Sequence, residues 1–196
     1  MKKALYIIPF IMVLSIFIGC KNQEATPSAP NQVQTDSTNV TELDSVAAAK
    51  LARQKERDAL AKPYNETEDA QAKINELLVQ AKKEGKNVFI QAGGNWCIWC
   101  LRFNDFVQNN PKLKQMVDDN FLYYHLNFSK ENKNDAVFNK YAPNGKEFGF
   151  PFFIVLDSNG KVLDVLSSDF VASEDGSDSY YNENNTIEMF SKYAKK

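Results

Sequence analysis

Apolar residues at Ile74, Leu77, Leu78 and Ala81 recur at spacings of three and four, which predicts one helical face over 67–83, ended by Gly85. Residues 87–91 (NVFIQ) follow as a short apolar run of the kind a buried strand makes. A second helical pattern covers 97–108, with Leu101, Phe103, Phe106 and Val107 as packing residues. Pro111 interrupts it, and a short helix resumes over 113–118. Residues 121–128 read as an aromatic-rich strand, 135–141 as a short helix and 152–156 as an apolar strand. The turn Asp157-Ser158-Asn159-Gly160 then leads into a returning strand over 161–166. The last element is an amphipathic helix over 187–195, with Glu183 and Glu188 early and Lys195 and Lys196 late, the charge order that suits a helix dipole. This alternation of helices and strands is that of an α/β layered sandwich with a mixed sheet.

The N-terminal part has a different pattern. Lys2 and Lys3 precede an almost unbroken apolar run over 4–19, the arrangement of a secretory signal peptide. The run is shorter than the about 20 residues that cross a bilayer, and it contains Pro9. Its end, Phe17-Ile18-Gly19-Cys20, resembles a bacterial lipobox, with Phe17 where that motif usually has Leu. The resemblance implies cleavage before Cys20 and acylation of that cysteine, and acyl chains anchor at about 0.8 kcal/mol per buried methylene. Residues 21–41 are dominated by Pro, Ser, Thr, Asn and Gln, and 43–60 are good helix formers with little apolar character. No aromatic occurs over 21–63. The expected organisation is a signal peptide over 1–19, a lipid-anchored tether with a solvated helical spacer over 20–63, and a folded domain over 64–196.

The chain's 196 residues are 43% hydrophobic and 24% charged, enough for one sizeable core. With 23 basic and 25 acidic side chains, the net charge of −2 supplies no basic field, which argues against nucleic acid as a partner. Three cysteines and the single His125 cannot complete a four-ligand zinc site without a carboxylate or a second chain. With Cys20 assigned to lipid, the remaining pair is Cys97-Ile98-Trp99-Cys100. Cys97 falls at a strand-to-helix junction, where unpaired N–H groups and the helix dipole stabilise a thiolate. Cys100 is three residues on and on the same face, so it can attack a mixed disulfide formed at Cys97. A c-type haem site would need His where Leu101 stands. A structural bridge and a metal shared between two chains remain open at this point.

Trp96-Cys97-Ile98-Trp99-Cys100 and the strand before it resemble the active-site strand and turn of the thioredoxin family. The similarity continues through Phe121-Leu122-Tyr123-Tyr124-His125-Leu126-Asn127-Phe128, like the family's central strand, and through Gly149-Phe150-Pro151-Phe152-Phe153, like its cis-proline strand. It implies a thioredoxin-like three-layer sandwich, a central mixed sheet flanked by helices, over 64–196. By position, Cys97 is the attacking thiol, Cys100 the resolving thiol with which it forms a disulfide, Trp96 the aromatic that shields the site, and Pro151 the cis-proline facing the pair. No cofactor is implied. Gln91 stands where reducing members usually carry a buried Asp that takes the second thiol's proton, and an amide cannot titrate. His125, near that position, is a candidate replacement, set against an ordinary hydrogen-bonded strand histidine. Trp99 beside the thiols is either a docking surface for substrate or a packing aromatic.

Together these readings suggest a thiol-disulfide oxidoreductase of a bacterial cell envelope, lipid-anchored and facing the periplasm. It would reduce disulfides of exported proteins and be kept reduced by a membrane thiol-disulfide electron donor. The alternatives are a disulfide oxidase or isomerase, and a redox-inactive binding lipoprotein on the same fold.

Overall fold

The structure, a computed structural model, describes residues 37–173 and 180–195, with side chains described from residue 45 onward. The segment read as a signal peptide, Cys20 and most of the segment read as a tether lie outside the described residues. Helix α1 (Ser37–Ala59) comes first, then α2 (Ala70–Glu84), β1 (Asn87–Gly93), α3 (Ile98–Asn109), α4 (Pro111–Asn120) and β2 (Phe121–Asn127). They are followed by α5 (Asp135–Tyr141), β3 (Phe152–Leu156), β4 (Val162–Ser167) and α6 (Glu183–Tyr193).

The four strands among the described residues form one mixed sheet in the order β2-β1-β3-β4, with β1 parallel to β2 and antiparallel to β3. Alternation along β1 divides the core in two, because successive side chains point to opposite faces. Val88, Ile90 and Ala92 pack with Ile74 and Leu77 of α2 and Phe138 of α5. Phe89 points the other way, into a cluster with Phe103 of α3, Leu113 and Val117 of α4, and Phe190 of α6. This is the three-layer α/β sandwich expected from the sequence. Phe89 is fully buried and meets Phe121, Tyr123, Phe153 and Phe190 at ring-centroid distances of 4.9–5.6 Å, so truncation to Ala would cost about 3–5 kcal/mol.

Several boundaries differ from the sequence reading for local reasons. Asp69 caps α2 by accepting from Ala72 N at 2.9 Å, which starts that helix at Ala70, and Gly85 ends it with φ 68°, a left-handed conformation that favours glycine. Pro111 does not merely interrupt: it occupies the first turn of α4, where its missing N–H is not needed, and the Asn110 side chain caps the backbone of Lys112 and Leu113. Asn182 caps α6 through Asn185 N at 3.0 Å, so the helix begins at Glu183, a turn before the apolar pattern. Helix α1 starts at Ser37, inside the stretch read as tether, in keeping with the tolerance of helix N-termini for Ser, Thr and Asn.

The end of α1 touches the domain. Glu56 receives two hydrogen bonds from Arg102 of α3, at 2.7 and 2.6 Å, and Leu60 packs against Tyr64, Cys97, Cys100 and Leu101. Among the described residues no helix is long and apolar enough to cross a membrane.

Candidate active site

Antiparallel pairing of β1 with β3 sets Ala92 opposite Phe152, so the loop leaving β1 and the loop entering β3 meet at one end of the sheet. The first carries Cys97 and the second Pro151, joined to Phe150 by a cis peptide bond. Cys97 and Cys100 form a disulfide with Cα atoms 5.3 Å apart. Cys97 occupies the N-cap of α3, where its sulfur accepts from Cys100 N at 3.2 Å and lies 3.6 Å from Phe150 O. In the dithiol state that donated N–H and the helix dipole favour a thiolate at Cys97. Cys97 is 6% exposed and Cys100 fully buried, so Cys97 is the more accessible of the two sulfur-bearing residues.

Gly93 makes this close packing possible. A Cβ there would lie 2.5 Å from Cys100 Sγ and 2.8 Å from the Tyr64 hydroxyl, closer than real Cβ atoms approach. Two exposed tryptophans flank the pair. Trp96 donates its indole N–H to Phe128 O at 2.6 Å and stands edge-on to Phe150. Trp99 stands edge-on to Tyr180, and the Arg102 guanidinium lies 4.7 Å from the Trp99 ring centre and 3.7 Å from that of Tyr180. Cation–π contact and the Glu56 ion pair thus hold one aromatic wall of the site. The Glu56 carboxyl is lowered and the Arg102 guanidinium raised from their ordinary pKa values, chiefly by the hydrogen bond between them. A shallow depression beside that wall is lined by Trp99, Phe148, Phe150, Asp169 and Tyr181.

Beneath Cys100 lies a buried polar network. Gln91 is fully buried; its side-chain nitrogen donates to the Tyr64 hydroxyl at 2.7 Å and to Cys100 O at 2.8 Å, and its oxygen accepts from the Tyr123 hydroxyl at 2.6 Å. His125 pairs with Gln91 across the sheet and packs its ring against Tyr64 and Tyr123, both at 5.1 Å. Desolvation brings its pKa from 6.5 down to about 4, and its Nε2 has no hydrogen-bond partner. The imidazole is therefore neutral at pH 7, and it is the Tyr64 hydroxyl that borders the buried sulfur. Tyr64, Arg102 and Glu56 escaped the sequence reading. Tyr64 marked only the start of the aromatic-rich region, and nothing local in the sequence links Glu56 to Arg102. Among the described residues no three His, Cys, Asp or Glu side chains are grouped to hold a metal.

Residues 69–158 match the family model described as thioredoxin-like. Over 88 residues the chain is 27% identical to the thiol:disulfide interchange protein DsbD of Salmonella typhi, a match that covers 45% of this chain and 14% of that protein. The chain thus spans about a seventh of that relative's length. A solved disulphide isomerase from Xylella fastidiosa Temecula1 superposes with TM-score 0.56 and 22% identity, over 68% of this chain and 98% of that one. That likeness shows the fold.

Proposed function

We propose that this chain, whose residues 69–158 are thioredoxin-like, is a thiol-disulfide oxidoreductase that uses Cys97 and Cys100 to reduce disulfides of exported proteins in a bacterial cell envelope. The observation that carries the reading is Cys97 at the N-cap of α3, accepting the Cys100 N–H, beside the cis Phe150–Pro151 bond. Cys97 attacks a substrate disulfide, its sulfur joins one substrate sulfur, and the other leaves as a thiolate that takes a proton. Cys100 then attacks Cys97, the intermolecular bond breaks, and the domain is left with the Cys97–Cys100 disulfide while the substrate has gained two electrons. A membrane thiol-disulfide donor returns the pair to dithiol. The likeness to the Salmonella interchange protein supports the class of chemistry. The Lys2-to-Cys20 pattern supports lipid anchoring through Cys20 and a periplasm-facing domain.

A trapping experiment tests the reaction. In envelope extracts, Cys100→Ser should accumulate mixed disulfides with exported proteins at Cys97, and Cys97→Ser should accumulate none. Equal yields from the two variants would refute the assigned roles. Incorporation of labelled palmitate into the wild type but not Cys20→Ala tests the anchor.

A further inference from the structure

The resolving sulfur needs a neighbour that favours its anion, and the β1 residue beneath it is an amide. Hydrogen bonds fix that amide's orientation. Cys100 O can only accept, so the Gln91 atom 2.8 Å away is nitrogen, and the second hydrogen of that nitrogen goes to the Tyr64 hydroxyl. Tyr123 donates to the amide oxygen. Tyr64 therefore accepts at its oxygen and keeps its own proton for a different acceptor. Cys100 Sγ is its neighbour across Gly93, since a Cβ on that glycine would clash with both atoms, at 2.5 Å from the sulfur and 2.8 Å from the phenol oxygen. The Tyr64 residue is 3% exposed, and Asn95 of the active-site turn clasps its backbone with hydrogen bonds of 3.2 and 2.8 Å.

Building on the oxidoreductase reading, we propose that the Tyr64 hydroxyl donates a hydrogen bond to Cys100 Sγ in the reduced domain and stabilises the thiolate that resolves the mixed disulfide at Cys97. In that step the Cys100 thiolate forms a bond to Cys97 Sγ, the Cys97–substrate bond breaks, and the departing sulfur takes the electron pair and then a proton. Lowering a thiol pKa by one multiplies its thiolate about tenfold while reducing intrinsic nucleophilicity about threefold, a net gain of about threefold as long as the pKa stays above the ambient pH. Burial raises the Tyr64 phenol well above its ordinary pKa, so it keeps its proton and serves as donor rather than base. The other titratable or charged groups around the pair are Cys97 on the same turn, Tyr123 and His125 from β2, Tyr181 ahead of α6, whose hydroxyl donates to Trp99 O, and Arg102, which is engaged by Glu56.

The test follows release of thionitrobenzoate after mixing the reduced domain with Ellman's disulfide. The first release reports attack by Cys97, and the second reports resolution by Cys100. Tyr64→Phe should slow the second release by about threefold or more, leave the first unchanged, and move the midpoint of the second step's pH profile upward. Tyr123→Phe, which leaves the Tyr64 proton in place, should have the smaller effect. A folded Tyr64→Phe domain with both releases unchanged, or both slowed equally, overturns the assignment. If Tyr64→Phe does not fold, the unmutated reduced protein with 13Cζ-labelled tyrosine decides. A Tyr64 signal that follows the Cys100 titration supports the bond, and a flat one overturns it. Absence of any release from the unmutated protein would count against the oxidoreductase reading itself, and the labelled-tyrosine titration would still decide the Tyr64 bond.

Discussion

Protonating His125 should destabilise the domain by a predictable amount. Its ring is held between Tyr64 and Tyr123 with Nε2 unpartnered, and burial lowers its pKa from 6.5 to about 4. Between those values the unfolded chain binds a proton that the folded chain refuses, so stability rises with pH across that window. The contribution is fully present above pH 6.5, falls as the pH drops toward 4, and changes no further below it. At about 1.36 kcal/mol for each pKa unit, the loss is about 3 kcal/mol. The clean measurement is urea unfolding of the oxidised domain at several pH values from 7 to 3.5, for wild type and for His125→Phe, which keeps a ring between the two tyrosines. Carboxylates titrate in both proteins and cancel in the difference. Wild type should lose about 3 kcal/mol more than the variant on going from pH 7 to pH 4. Curves that run parallel to within about 0.5 kcal/mol would refute the idea that a neutral imidazole is buried there.

Other consequences follow from particular contacts. Gly93→Ala should destabilise the domain by about 1–3 kcal/mol, read from the urea midpoint at constant m-value, because the new methyl meets Cys100 Sγ and the Tyr64 hydroxyl; a variant as stable as wild type contradicts the packing described. Asn110→Ala should cost about 1 kcal/mol through loss of the α4 cap, and no change in the midpoint would count against the cap. Arg102→Met in a Trp96→Phe background should increase acrylamide quenching of Trp99 fluorescence, because the cation that holds Trp99 against Tyr180 is gone; unchanged quenching would mean that the wall stands without it.

Helices and strands were legible wherever one local rule decided them. The spacing of Ile74, Leu77 and Ala81 with Gly85 behind it defines α2, and the apolar run Phe152 to Leu156 followed by an Asp157 turn defines β3 and the hairpin, where Asp157 Oδ1 accepts from Asn159 N and Lys161 N. Boundaries set by capping side chains were less visible. Asn182 lies ahead of the periodic pattern, and Pro111 can be read as a breaker or as a helix start until Asn110 is seen to cap it. The cysteine pair, Pro151 and Gln91 could be found from short motifs, since each lies in or next to one. Tyr64 and Glu56 could not, because their partners Gln91 and Arg102 are 27 and 46 residues away and only the folded chain brings them together. Polar contacts of that range leave no periodic trace.

The most direct test of the central claim is the equilibrium between dithiol and disulfide. The described domain would be brought to equilibrium in glutathione and dithiothreitol redox buffers, and its free thiols at Cys97 and Cys100 counted by alkylation and mass spectrometry. A reversible two-electron transition of the folded domain is expected, nearer the about −270 mV of thioredoxin than the about −120 mV of a strong oxidant. A potential close to the latter would keep the chemistry and reverse its direction. A pair that stays bridged until the domain unfolds, or that never bridges, would contradict the account.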